Sequence, residues 1–105
     1  MRLPFDDGSS TYTVMIDDVS AMLASHAVAK PKPEDEYRVL LIGDSSVWGE
    51  TLLPNESISE QWNALNNQCN GKTIKFYNLG YPHPSVIKDL IIVEESVEYD
   101  PDLIV

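Results

Sequence analysis

The residues with the most chemical content lie in "VLLIGDSSVWGE", Val39 to Glu50. A serine acts as a nucleophile when its hydroxyl is exposed, a base takes its proton, and amide hydrogens face the developing oxyanion. Ser45 follows an apolar run and Gly43, so a tight turn after a buried strand would present its hydroxyl. The Ser45 amide is then an oxyanion donor. Asp44 either braces the turn through its carboxylate or satisfies backbone amides there. Gly49 stands four residues after Ser45. A second polar loop, "NLGYPHPS", follows another apolar run and carries Asn78, Gly80 and His83. The only histidines are His26 and His83. His26 falls on an apolar helical face and reads as structural. His83, between two prolines, either approaches Ser45 as a base or turns its ring to solvent.

The positioning elements follow from periodicity. From Tyr37, "YRVLLIG" is a short, almost continuous apolar run, as expected of a parallel strand buried on both faces. "SISEQWNALNNQCNG" reads as a helix opened by Ser57 and Glu60 as a capping box. It places Ile58, Trp62, Leu65 and Cys69 on one face and ends at Gly71. "TIKFYNLG" is a second strand. "SVIKDLIIVEESVEY" is a helix with Val86, Leu90, Val93 and Val97 as its apolar stripe, widened by Ile87 and Ile91. "DPDLIV" turns and opens a third strand. Helix-length connections between strands predict parallel pairing with right-handed crossovers, so the expected fold is α/β, a parallel βαβαβ unit. Ahead of it, Met1 to Thr13 read as an irregular arm. Val19, Met22, Leu23, His26 and Ala27 form a helical face, with Asp17 or Asp18 as its cap and Pro31 as its stop. "KPKPEDE" reads as a linker, giving residues 1–36 as arm, helix and linker and 37–105 as the α/β part.

Composition removes several function classes. The chain has 105 residues, the size of one small domain, with a formal net charge of -10. Such a surface repels a nucleic-acid backbone or an anionic membrane. No apolar stretch is long enough to span a bilayer, and the N-terminus lacks the apolar core of a signal peptide, so the chain is expected to be soluble as given. The single cysteine, Cys69, allows no internal disulfide, and no Cys/His cluster has metal-ligand spacing. No metal or cofactor is expected. "GDSSVWG" matches neither a dinucleotide-binding glycine pattern nor a phosphate loop.

"GDSSVWG", with its glycine four residues after the serine, resembles the first conserved block of the SGNH (GDSL-type) hydrolases. "NLG" after the next strand is similar to the second block, and "DPDLIV" to the strand that leads into the third. The resemblance covers Tyr37 to Val105. It implies a three-layer, flavodoxin-like half of that fold, preceded by an N-terminal helix. It also implies a serine esterase, acyl hydrolase or O-acyltransferase working through an acyl-enzyme on Ser45. Small acyl esters and O-acylated carbohydrates or lipids are the implied substrates. The Ser45 amide is the implied first oxyanion donor, with Gly43, Asp44, Gly49 and Asn78 in supporting positions. The second block's glycine, another donor, is replaced by His83, whose backbone amide takes that place; Gly80 lies three residues earlier. The family's donor asparagine and its Asp-x-x-His have no counterpart in these 105 residues. The expectation is therefore the front part of a longer enzyme, inactive alone, with an anchor or further sequence setting its compartment. A non-catalytic α/β module holding a carbohydrate or anion on the same loops is the alternative.

Overall fold

In the computed structural model, residues 18–105 are described. The expected arm and Asp17 lie outside them. The first helix, α1, is Val19–Ala24, with the Asp18 carboxylate accepting from the Ala21 amide. It is shorter than its apolar periodicity predicts, and Pro31 is not its stop. The chain leaves the helix at His26, whose backbone is extended and whose Nδ1 accepts from the Val28 amide. A side chain that caps the next turn competes with helix continuation.

Strand β1 (Glu36–Leu41) is buried along nearly its whole length, as the apolar run predicts. One-turn helix α2 is Ser45–Trp48, and α3 is Ile58–Ala64. Ser57 caps α3 by accepting from the Glu60 amide. The Glu60 carboxylate turns instead to Asn63. Two-residue strand β2 (Gln68–Cys69) and β3 (Lys72–Asn78) then form a hairpin. This corrects the predicted helix across Gln68 and Cys69. Asn70 and Gly71 both have positive φ, 52° and 77°, as a two-residue hairpin turn requires. Cys69 is thus a half-buried strand residue rather than part of a helical face. Helix α4 is Val86–Ser96 and β4 is Leu103–Ile104.

The sheet order is β2-β3-β1-β4. β1 pairs in parallel with β3, from Glu36 opposite Thr73 to Leu41 opposite Asn78, and with β4. The antiparallel β2 makes the sheet mixed, which departs from the clean parallel, flavodoxin-like order expected. The α/β class stands. Alternation along β3 separates two layers. Tyr77 faces Met22, Leu23, Leu40 and Ile92, the core shared with α1 and α4. Phe76 faces Trp62 of α3, with ring centroids 5.1 Å apart, and Asn63 of α3 bonds both backbone groups of Phe76.

The helix stripes are also corrected. Val86 is 76% exposed and Leu90 62%, and Ile58, Trp62 and Leu65 are exposed as well. Lys88 and Ile92 with Ser96, four residues apart, form the inward row of α4, and Ile92 and Ser96 are buried. The helix is apolar over more than one face, so periodicity alone could not choose which face the sheet takes.

Arg38 is 1% exposed and holds the N-terminal ends of the strands together. Its guanidinium donates to the Glu36 carboxylate (2.7 Å) and to the carbonyls of Val28 (2.9 Å), Tyr99 (2.9 Å) and Lys30 (3.3 Å). It also lies 4.9 Å above the centre of the Tyr77 ring, and the Tyr77 hydroxyl donates to the other Glu36 oxygen. Burial first, then the Glu36 contact, pushes the Tyr77 phenol up to about 12. Replacing Arg38 by Met removes the donor from one oxygen of the buried Glu36 carboxylate, which keeps only Tyr77, and from the carbonyls that the guanidinium serves. The expected loss is about 3–5 kcal/mol in urea unfolding, and Lys, lacking the fork of donors, restores less than half. A loss below about 1 kcal/mol contradicts this account.

Asp102 ties β4 to the segment before β1. It accepts from Lys32 Nζ (2.7 Å) and from the Arg38 amide (2.7 Å). The Lys32 contact first, then the Arg38 amide, holds its carboxyl below its ordinary 3.8. A depressed folded-state value means that the stabilisation is complete above the ordinary value, about pH 4, and is lost as pH falls below it through the lower folded-state value. Acid unfolding of Asp102→Asn, followed by tryptophan fluorescence, should start from lower stability at neutral pH and show a shallower fall below pH of about 4.

Candidate functional site

The serine turn begins where β1 ends. Asp44 is the cap of α2: its Oδ1 accepts from the Ser46 amide (2.9 Å) and the Ser46 hydroxyl (2.8 Å). The Ser46 amide is the main reason that the Asp44 carboxyl sits below its ordinary 3.8. Asp44 therefore remains an anion engaged with Ser46. Gly49 closes the turn at φ 85°, a left-handed conformation that favours glycine. Gly43 is needed for a different reason. A Cβ there would stand 2.6 Å from Val47 Cγ2, so the side chain of Val47 fills the space that glycine leaves.

Ser45 is half-buried, and its carbonyl accepts from the amides of Gly49 and Glu50. Neither its amide hydrogen nor its hydroxyl makes a hydrogen bond among the described residues. The turn thus leaves both a hydroxyl and an unspent donor at one residue.

Asn78, the last residue of β3, joins this turn to the second loop. Its Nδ2 donates to the Val47 carbonyl, and its Oδ1 accepts from the Gly80 amide at 2.8 Å. Its own carbonyl lies 3.0 Å from His26 Nε2. Since Val28 donates to Nδ1, Nε2 carries the ring proton and donates to Asn78. His26 is therefore a buried structural link, in keeping with its place on an apolar face. The Gly80 amide is engaged with Asn78. A Cβ at Gly80 would lie 2.5 Å from the Trp48 backbone nitrogen, so the two loops touch backbone to backbone.

His83 is exposed. Its ring stacks at a tilt on Tyr81, with centroids 5.7 Å apart, and makes no hydrogen bond to Ser45. The His83 amide makes no hydrogen bond among the described residues. Ser85 caps α4 by accepting from the Lys88 amide at 3.3 Å.

Lys88 was not legible as part of this region. Its Nζ donates to the carbonyls of Gly43 (2.8 Å) and Tyr81 (3.2 Å) and pairs with Asp89 at 2.8 Å. One ammonium thereby holds both loops from beneath. The only trace in the sequence is a lysine four residues before the buried Ile92, which is indistinguishable from a surface lysine. Between the loops lies an open cleft of about 500 Å³, bordered by Asp44, Ser46, Pro84, Ser85 and Asp89. Ser46 rather than Ser45 faces it. Among the described residues no group of His, Cys, Asp and Glu could hold a metal ion, and no helix is long and apolar enough to cross a membrane.

The arrangement offers a serine with a free amide and a second free amide at His83, but among the described residues no base is hydrogen-bonded to Ser45. Gly80→Ala tests the close approach that positions it. The added Cβ meets backbone, which cannot rotate away, so unfolding stability should fall by about 1–3 kcal/mol, with a change in Trp48 emission. An unchanged midpoint and spectrum would count against the contact. Comparison of the chain with family models, curated proteins and solved structures gave no match.

Proposed function

We propose that this chain carries the nucleophile of an SGNH-type serine esterase or O-acyltransferase, with Ser45 attacking the carbonyl of an acyl ester or O-acylated carbohydrate. The reading rests chiefly on the Ser45 turn: a hydroxyl at the end of a central parallel strand, whose own amide hydrogen is unspent. Tetrahedral oxyanions are stabilised by donors of this kind. The His83 amide is the candidate second donor, and the Asn78 clamp and the Gly80 contact position the two loops relative to each other. In the flavodoxin-like layout that this reading requires, β3, β1 and β4 are the shared parallel strands, with the β2 hairpin added at one side. Catalysis needs a base for Ser45. Among the described residues, His26 is engaged at both nitrogens and His83 stacks on Tyr81 without bonding Ser45, so neither histidine serves as that base.

A second reading is a non-catalytic module that holds a carbohydrate or anion. One observation favours it: the cleft between the loops is bordered by Ser46 and Ser85, while Ser45 does not border it.

A fluorophosphonate probe separates the two, because it labels only an activated serine. In the longer protein that this reading requires, with its base present, covalent modification at Ser45, located by mass spectrometry and lost in Ser45→Ala, together with loss of p-nitrophenyl acetate hydrolysis in that variant, is the expected result. Hydrolysis that persists in Ser45→Ala, or an unlabelled Ser45, rejects the esterase reading and leaves the binding module.

A further inference from the structure

Lys88 stands where the fold disfavours a cation. It is the third residue of α4, inside the first helical turn, and the helix dipole opposes positive charge there. Its side chain is only 16% exposed, so water screens little of that charge. Nor is the ammonium needed to join the two loops. The Gly43 carbonyl already accepts from the Tyr81 amide at 2.9 Å, and the Leu41 carbonyl accepts from the Leu79 amide at 2.8 Å. The Asn78 side chain bonds both loops as well. An apolar side chain of equal length would fill the same space without bringing a charge into it. A residue that breaks a local rule where the fold is already held points to a function.

The atoms that Lys88 bonds say which function. Its Nζ donates to the carbonyls of Gly43 (2.8 Å) and Tyr81 (3.2 Å), and its backbone amide donates to Ser85 Oγ (3.3 Å). Gly43 stands two residues before Ser45. Tyr81 and Ser85 stand two residues before and two residues after His83. One residue thus grips the serine turn once and the His83 segment on both sides. Among the described residues the Tyr81 carbonyl has no donor other than Lys88. The residues at the centre of these grips, Ser45 and His83, are the two whose amides stay unspent.

We infer that Lys88 is the positioning residue of the serine site, holding the Ser45 and His83 amides at the separation at which one oxyanion oxygen accepts from both. Donors stabilise a developing oxyanion most when their places are fixed before it forms. The inference rests on the esterase reading and goes beyond it by assigning a residue outside both loops. Lys88 touches no substrate and acts through the Gly43 and Tyr81 carbonyls. Asp89, 2.8 Å from Nζ, balances the ammonium, so the contribution is one of geometry.

The test compares Lys88→Met and Lys88→Arg in two measurements. The first reads amide proton shifts of the 105-residue chain by NMR. Lys88→Met should stay folded, because the Tyr81 amide still bonds Gly43, and should move the Ser45 and His83 amides well beyond the amides of β1 and β3. Lys88→Arg keeps a charge and donors for both carbonyls, and should restore about half or more of each shift. The second measures p-nitrophenyl acetate hydrolysis by the longer protein. There Lys88→Met should lower kcat about 10–100-fold and leave KM within about twofold, since the two amides act on the oxyanion and not on the bound ester. A lysine that serves stability alone would lower the unfolding midpoint and leave the kcat of folded protein and the two amides unmoved, and that result overturns the proposal. So does a Lys88→Arg variant that restores neither shifts nor kcat. The amide readout needs no hydrolysis. A longer protein without activity rejects the esterase reading, while the shifts still decide whether Lys88 holds the two donors, so the two fail separately.

Discussion

A single buried guanidinium sets the geometry at one end of this sheet. Arg38 sits in the middle of β1, the central strand, where burial of an unpaired charge would be prohibitive. The fold meets that demand with one carboxylate, three backbone carbonyls and an aromatic face. The carbonyls come from the turn after α1, from the segment leading to β1 and from the end of the α4 region. Satisfying Arg38 therefore fixes three chain segments around one strand. Glu36 and Tyr77 are fixed in turn, since Glu36 accepts from both Arg38 and the Tyr77 hydroxyl. Lys32 and Asp102 extend the same arrangement to β4.

The other end of the sheet is organised by polar contacts with backbone. Asn78 holds the serine turn by a carbonyl and its own loop by an amide, while His26 holds Asn78 from the opposite layer. Lys88 adds a second tie, from Gly43 to Tyr81. The two loops are thus joined by a side-chain clamp, an ammonium bridge and the backbone contact at Gly80. Such redundancy leaves the Ser45 turn little freedom, while its amide and hydroxyl stay uncommitted. A rigid loop with unspent donors is what pre-organised binding of a developing or bound anion requires.

Some of this was legible residue by residue. The run before Gly43 announced a strand buried on both faces, and β1 is one. The parallel partners followed from helix-length connections. The engagement of the Asp44 carboxylate with amides of the turn followed from residue type. The β2 hairpin did not, although Asn70-Gly71 is a strong turn signal, because the apolar spacing from Ile58 to Cys69 also fits a helix. Helix α4 misled in the same way. With apolar residues on several faces, its sequence is compatible with burying Val86 and Leu90, yet the buried row is Lys88, Ile92 and Ser96.

Local sequence, then, determined what depends on neighbours along the chain: the α/β class, the central strand, the caps and the position of Ser45 after β1. These follow from side-chain periodicity and backbone sterics, which act within a few residues. Tertiary structure decided which helix faces are covered, that Arg38 and Lys88 are structural rather than surface cations, and that His83 turns away from Ser45 toward Tyr81. It also buried the Tyr81 hydroxyl without a hydrogen-bond partner among the described residues. Each of these depends on which groups meet across the sheet, from residues as far apart as Arg38 and Tyr99. A buried charge or polar atom takes its role from the partners that folding brings to it, and no spacing along the chain encodes them.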